Sequence, residues 1–172
     1  IMIGEMRDLE TGRIAVQAAL TGHLVFSTLH TNTAASGITR LLDMGLEDYL
    51  ITSTVNGILS QRLVRRLCEH CRVPTNLPPG IEAPKDAHLS VVYLAVGCDV
   101  CDGSGYRGRL AITEFLVMND RIRRMIMEHA QSNEIEEVGK SFGMETMYQN
   151  GIRKVFEGLT TLEEVLRVTT YA

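Results

Sequence analysis

The chain has 172 residues, the length of one ordinary domain or of a piece of a larger protein. Its residues are 45% hydrophobic and 22% charged, so it can bury a core, and its longest wholly apolar runs are too short to cross a bilayer. A net charge of −4 with 5% aromatic residues argues against a dedicated nucleic-acid binder.

The chain opens on Ile1-Met2-Ile3, a short apolar run that reads as a buried strand and ends at once in Gly4-Glu5-Met6-Arg7-Asp8. Such a start is expected of a truncated chain. Asp8 can cap a helix whose small apolar face holds Ala15, Val16, Ala18, Ala19 and Leu20, and Thr21-Gly22 ends it. His23 to Leu29 reads as a second buried strand, delivering His30-Thr31-Asn32. Asn32 is expected to cap a helix carrying Ile38, Leu41 and Leu42, which stops at Gly45. Strand-helix-strand-helix alternation implies parallel strands with crossover helices. Residues 47–58 form another helical pattern, followed by Gln61-Arg62-Leu63-Val64-Arg65-Arg66-Leu67.

Cys68-x2-Cys71 and Cys98-x2-Cys101 come next, separated by a stretch with Pro74, Pro78, Pro79, Gly80 and Pro84 that reads as a loop. Two C-x-x-C knuckles close a tetrahedral thiolate zinc site. Two disulfides are the other use of this pattern, which a reducing compartment disfavours. With four protein ligands no position is left open, so the metal is expected to be structural. His70 inside the first knuckle could replace a cysteine as ligand, but reads first as solvent-facing. Gly103-Ser104-Gly105-Tyr106 marks a turn, and Leu110 to Leu116 is strand-like. From Asp120 the pattern is helical, with stripes at Ile122, Met125 and Ile126, then Ile135 and Val138, then a segment holding Val155. Thr160-x-x-Glu163 fits a capping box for a last helix bearing Leu162, Val165, Leu166 and Val168.

Ligands of open α/β sheets sit outside the carboxyl ends of the strands, so Glu5 and His30 are expected to meet at one edge. A carboxylate there can polarise an attacking water or help hold magnesium, and a histidine can donate to a phosphate oxygen. Asp8 is as well placed to be a helix cap as a catalytic acid. His23 begins its strand and reads as structural or aimed at a neighbouring subunit. Arg62, Arg65, Arg66 and Arg72 read by spacing as a solvated face, with a nucleic-acid patch or a subunit interface as alternatives. No G-x-x-x-x-G-K-[ST] loop occurs in the sequence, so the chain reads as half of a nucleotide site.

These residues add up to a family pattern. Gly4-Glu5-Met6-Arg7-Asp8-x-Glu10-Thr11 resembles the Walker B region of the secretion ATPases of type II secretion and type IV pilus assembly. Thr21-Gly22-His23-Leu24-Val25-x-Ser27-Thr28-Leu29-His30-Thr31-Asn32 resembles their His box. Ser60 to Cys68, the tetracysteine, Gly105-Tyr106-x-Gly108-Arg109 and the tail Gly158 to Arg167 are similar to the later motifs of the assembly and secretion branch. Gly12, where alanine is expected, and Thr33, where an acidic residue is common, depart from it.

The resemblance implies an α/β fold: a partial RecA-like P-loop NTPase core lacking its Walker A half, a tetracysteine zinc subdomain and a C-terminal helical region. The divisions it implies are 1–67, 68–108 and 109–172. It further implies a homo-hexamer on the cytoplasmic face of the bacterial inner membrane, working with a membrane platform and cytoplasmic docking proteins rather than nucleic acid. Such motors couple hydrolysis of ATP with Mg2+ to type II secretion or pilus and pseudopilus assembly. By carry-over, Glu5 and His30 are catalytic, Arg7, His23 and Arg62 bind or sense nucleotide, and Cys68, Cys71, Cys98 and Cys101 hold Zn2+. Residues 1–172 alone are expected to be inactive. A zinc-ribbon nucleic-acid binder or an interaction module without hydrolase activity is the competing reading.

Overall fold

The computed structural model of the chain describes residues 1–76, 78–81 and 91–169. The elements run β1 (Met2–Ile3), α1 (Leu9–Leu20), β2 (Phe26–Ser27), α2 (Ala34–Asp43), α3 (Asp48–Thr54), β3 (Gly57–Leu67), β4 (Val73–Asn76), β5 (Val91–Leu94), β6 (Tyr106–Val117), α4 (Asp120–Met127), α5 (Ser132–Ser141), α6 (Met147–Phe156) and α7 (Leu162–Thr169), with a 3-10 turn at Asp99–Cys101. Two compact units form, one from Ile1–Ser60 and Phe115–Met144, the other from Gln61–Glu114 and Glu145–Ala172.

In the first unit β1 and β2 pair in parallel, with Met2 opposite Phe26 and Ile3 opposite Ser27. The strand expected over 23–29 is only two residues long. Leu24 and Phe26 face outward, so no packed face holds the flanking residues in a ladder. Asp8 caps α1 as expected, its carboxylate accepting the Thr11 N–H at 2.8 Å. Gly12, Ala15 and Val16 form the buried face of that helix. A Cβ on Gly12 would lie 3.1 Å from Leu46 Cδ1, so the helix sits close against that side chain.

The cap of α2 is Thr33, not Asn32: Thr33 Oγ1 accepts the Ser36 N–H while Ser36 Oγ accepts the Thr33 N–H, a reciprocal capping box. The helical pattern over 47–58 also stops early, at Thr54. A Cβ on Gly57 would meet the Phe115 ring at 2.8 Å, so β3 begins where the backbone of β6 comes closest. α2 packs on α5, α3 on α1 and α4, and α4 on α5. Ile38, Ile51, Leu116, Ile122, Ile126 and Ile135 are fully buried there, each contributing roughly 1.5–3 kcal/mol of burial. The stripe at Ile122, Met125 and Ile126 is therefore core, as its spacing requires.

In the second unit the proline-rich stretch is not all loop. β4 pairs antiparallel with β5, Val73 opposite Leu94 and Asn76 opposite Val91. Pro74 is tolerated because each strand of this two-stranded sheet is an edge, where a missing N–H leaves no ladder bond unmade. Pro84 lies outside the described residues. β3 pairs with β6 in a separate two-stranded sheet, and Val64, Ile112 and Met147 form one small core. Val92, Val155 and Val165 form another. Gly151 lets α6 and α7 touch, since a Cβ there would lie 2.5 Å from Val165 Cγ1.

The box expected at Thr160 does not form: Thr161 Oγ1 accepts the Glu164 N–H, Thr160 Oγ1 donates to Arg65 O, and the Glu164 carboxylate is taken up by Arg65 and Arg167. Among the described residues no helix is long and apolar enough to cross a membrane.

Candidate functional site

The carboxyl ends of β1 and β2 are tied together by Met6 N–H donating to Thr28 O at 3.0 Å and Thr28 Oγ1 donating to Gly4 O at 2.6 Å. This stitch brings Glu5 and His30 together. Glu5 Oε1 lies 2.9 Å from His30 Nε2, and Glu5 Oε2 lies 2.6 Å from Arg7 Nη2. The Arg7 hydrogen bond, with its charge and that of His30, outweighs the opposing effect of burial and holds the Glu5 carboxyl below its ordinary range. The acid is ionised at neutral pH.

Asp8 is occupied as the cap of α1, and its bond from Thr11 holds its pKa low. Ser27 Oγ, one residue before Thr28, is buried without a hydrogen-bond partner, alone in this among the described residues. His23 is not at this edge: its Nδ1 lies 3.2 Å from Ala18 O and Thr21 Oγ1, at the end of α1. Arg62 lies exposed on β3.

The four cysteine sulfurs of the second unit all lie within 4.8 Å of one another. Cys71 to Cys101 and Cys98 to Cys101 are each 3.8 Å, and Cys68 to Cys98 is 4.0 Å. A tetrahedron with zinc–sulfur bonds of about 2.3 Å has edges of about 3.8 Å, so this cluster fits zinc. Backbone N–H groups support the sulfurs, Gly97 donating to Cys71 and both Cys98 and Gly105 donating to Cys101. Burial works to raise the Cys101 thiol, but these N–H bonds prevail and bring it down to about 6. The glycines are required here, because a Cβ at Gly97 would collide with Gly103 O and one at Gly105 with Ala95. His70 is exposed, as expected.

Sequence reasoning missed one polar centre. Glu164 is fully buried and accepts from the Arg65 backbone N–H, the Arg65 guanidinium and two nitrogens of Arg167, all at 2.8–2.9 Å. Arg167 first, then Arg65, overcome the opposing effect of burial and lower its carboxyl from 4.5 to about 2. Arg65 also stacks on Tyr106, whose hydroxyl meets Thr161 Oγ1 at 2.9 Å. The signal available in sequence was only an acid pair opening a helix, which ordinarily is solvated.

The type II/IV secretion system protein family matches residues 1–167. The chain belongs to that family. It is 55% identical to type II secretion system protein E of Xanthomonas campestris pv. campestris, over 98% of this chain and 31% of that protein. It is 49% identical to the type IV pilus assembly ATPase PilB of Thermus thermophilus, over 98% of this chain and 20% of that protein. The chain thus spans between a fifth and a third of the length of these relatives. Its fold resembles the pilus retraction motor PilT solved with ADP, at a TM-score of 0.64 and 32% identity, over 98% of this chain and 38% of that one. The Legionella pneumophila ATPase DotB shares the fold at a TM-score of 0.64 and 23% identity, over 100% of this chain and 38% of that one. The family's α/β fold expected from the motifs is the one found, and the four cysteines sit inside the matched region.

Proposed function

We propose that this chain forms part of a motor ATPase that couples ATP hydrolysis to type II protein secretion or to type IV pilus or pseudopilus assembly. The observation that carries the reading is the contact of Glu5 with His30 at the carboxyl ends of two parallel strands. It lies in a chain that matches the secretion family almost end to end.

In this reading Glu5 orients the attacking water and accepts its proton, and His30 steadies Glu5 and meets the phosphate. Arg7 neutralises the second carboxylate oxygen, while His23 and Arg62 sense nucleotide from outside the Glu5 contact. Magnesium bound with ATP supplies charge neutralisation on the phosphates. Cys68, Cys71, Cys98 and Cys101 hold a structural zinc with no open position, within a module at 68–108 between a nucleotide region at 1–67 and a supporting region at 109–172. The intact protein works as a homo-hexamer on the cytoplasmic face of the inner membrane, bound to the platform and docking proteins of its machine. Residues 1–172 alone do not turn over ATP.

The test is magnesium-dependent ATP hydrolysis by the intact protein, with its mass in solution measured alongside. A hexamer that turns over ATP supports the reading. A well-folded hexamer that binds no ATP contradicts it.

A further inference from the structure

The segment running into and through the first cysteine knuckle, Arg65 to Arg72, is fastened along its length to the turn that opens α7. Leu67 N–H donates to Leu159 O at 2.9 Å, and Thr160 Oγ1 donates to Arg65 O at 2.8 Å. Arg65 N–H and guanidinium both reach Glu164. At the far end of the knuckle Arg72 Nη1 donates to Gly158 O, and the same guanidinium stacks on Tyr93 of β5. Gly158, at φ +70, is pressed so closely that a Cβ would lie 2.9 Å from Arg72 Nη1 and 3.0 Å from the Tyr93 ring.

The knuckle is in turn closed on the second one, Cys68 N–H donating to Gly105 O at 3.0 Å beside the sulfur cluster. Metal loss removes the bonds that tie the four sulfurs together and lets the first knuckle move. The bonds from Leu67 and Arg72, which flank that knuckle, to Leu159 and Gly158 then lose a fixed partner.

We propose that the cysteine module is a clasp: metal loading of its four cysteines is coupled, through Arg65, Leu67 and Arg72, to the docking of Gly158–Glu164 and helix α7. This rests on the zinc assignment and not on ATP turnover. Coupling of this kind is reciprocal, so breaking the clasp must also weaken metal retention.

Amide exchange of the intact protein tests it, with zinc bound and after removal by a chelator. Chelation is expected to speed exchange at the Leu67 amide and across 159–169 by roughly tenfold or more, with α4 and α5 unchanged as internal reference. Arg72→Ala and Glu164→Gln, each still loaded with one zinc, are expected to speed the same amides and to release zinc at lower chelator concentration. Unchanged exchange at 159–169 after confirmed zinc loss overturns the proposal. So does equal acceleration throughout 61–169, which is general unfolding. A variant that fails to fold leaves the native comparison to decide. Failure to bind zinc at all would instead refute the metal assignment.

Discussion

The Glu5 edge and the cysteine module are built on opposite plans. At the edge, two strands of two residues each carry their charges into solvent, with the His30 side chain 84% and the Arg7 side chain 76% exposed. Ion pairs so exposed are screened by solvent, so they add little to the hydrogen bonds between Met6, Thr28 and Gly4 in fixing the geometry of the edge. In the module, Cys68 and Cys101 are buried, and backbone N–H groups and glycines set the positions of the sulfurs. In the proposed reading, the groups that act during turnover stand where reorganisation costs little, and the metal ligands stand where backbone N–H groups hold them.

The sharpest way to break this contrast is at a sulfur. Cys101→Ser removes one of the four clustered sulfurs, and zinc content measured by elemental analysis should fall from one per chain to none, with the thermal transition of the second unit lowered by more than about 10 °C. Retained zinc would mean that three ligands suffice and that the module is less closed than its geometry. At the edge, His30→Ala should lower ATP turnover of the intact protein by roughly a hundredfold while leaving its melting temperature within about 1 °C, because the residue positions Glu5 without packing anything. A large stability loss there would erase the distinction between the regions.

Glu164→Gln removes the charge of the buried centre and turns one of its two acceptor oxygens into a donor. With half-exposed arginines on both sides, the loss should be on the order of 2 kcal/mol, or roughly 4–8 °C by calorimetry. A carboxyl lowered from 4.5 to about 2 stabilises the fold fully above pH 4.5. That contribution drains away as pH falls toward 2, so the native chain and Glu164→Gln should converge in stability at the acid end. The smallest effect expected is Thr33→Ala, which removes one half of a capping box and should cost about 1 kcal/mol in denaturant melts.

Whatever depended on local spacing was legible in the sequence. Asp8 followed by a small-residue face specifies a capped helix, and four cysteines in two pairs specify a cluster, because each signal is complete within a few residues. Caps slipped by one wherever two competent residues adjoin. Asn32 and Thr33 both suit a cap, and only the reciprocal bond with Ser36 selects Thr33. Thr160 and Thr161 both precede an acid by three, and the choice falls to Thr161 because Thr160 is drawn onto Arg65 O. β4 was hidden by Pro74, whose place on an edge strand is a tertiary fact. Glu164 was hidden most fully, since its partner Arg65 stands 99 residues earlier and neither residue alone suggests burial. The meeting of Glu5 and His30 came from strand order, whereas Arg7 as the second partner of the carboxylate is a matter of side-chain geometry.

The proposed function makes the Glu5 edge part of an ATP-hydrolysing site. ATP binding and turnover by the intact protein, compared with Glu5→Gln, test it most directly. The variant is expected to bind magnesium–ATP with affinity within a few-fold of native while its turnover falls by roughly a hundredfold or more. Equal turnover in the two proteins would contradict it.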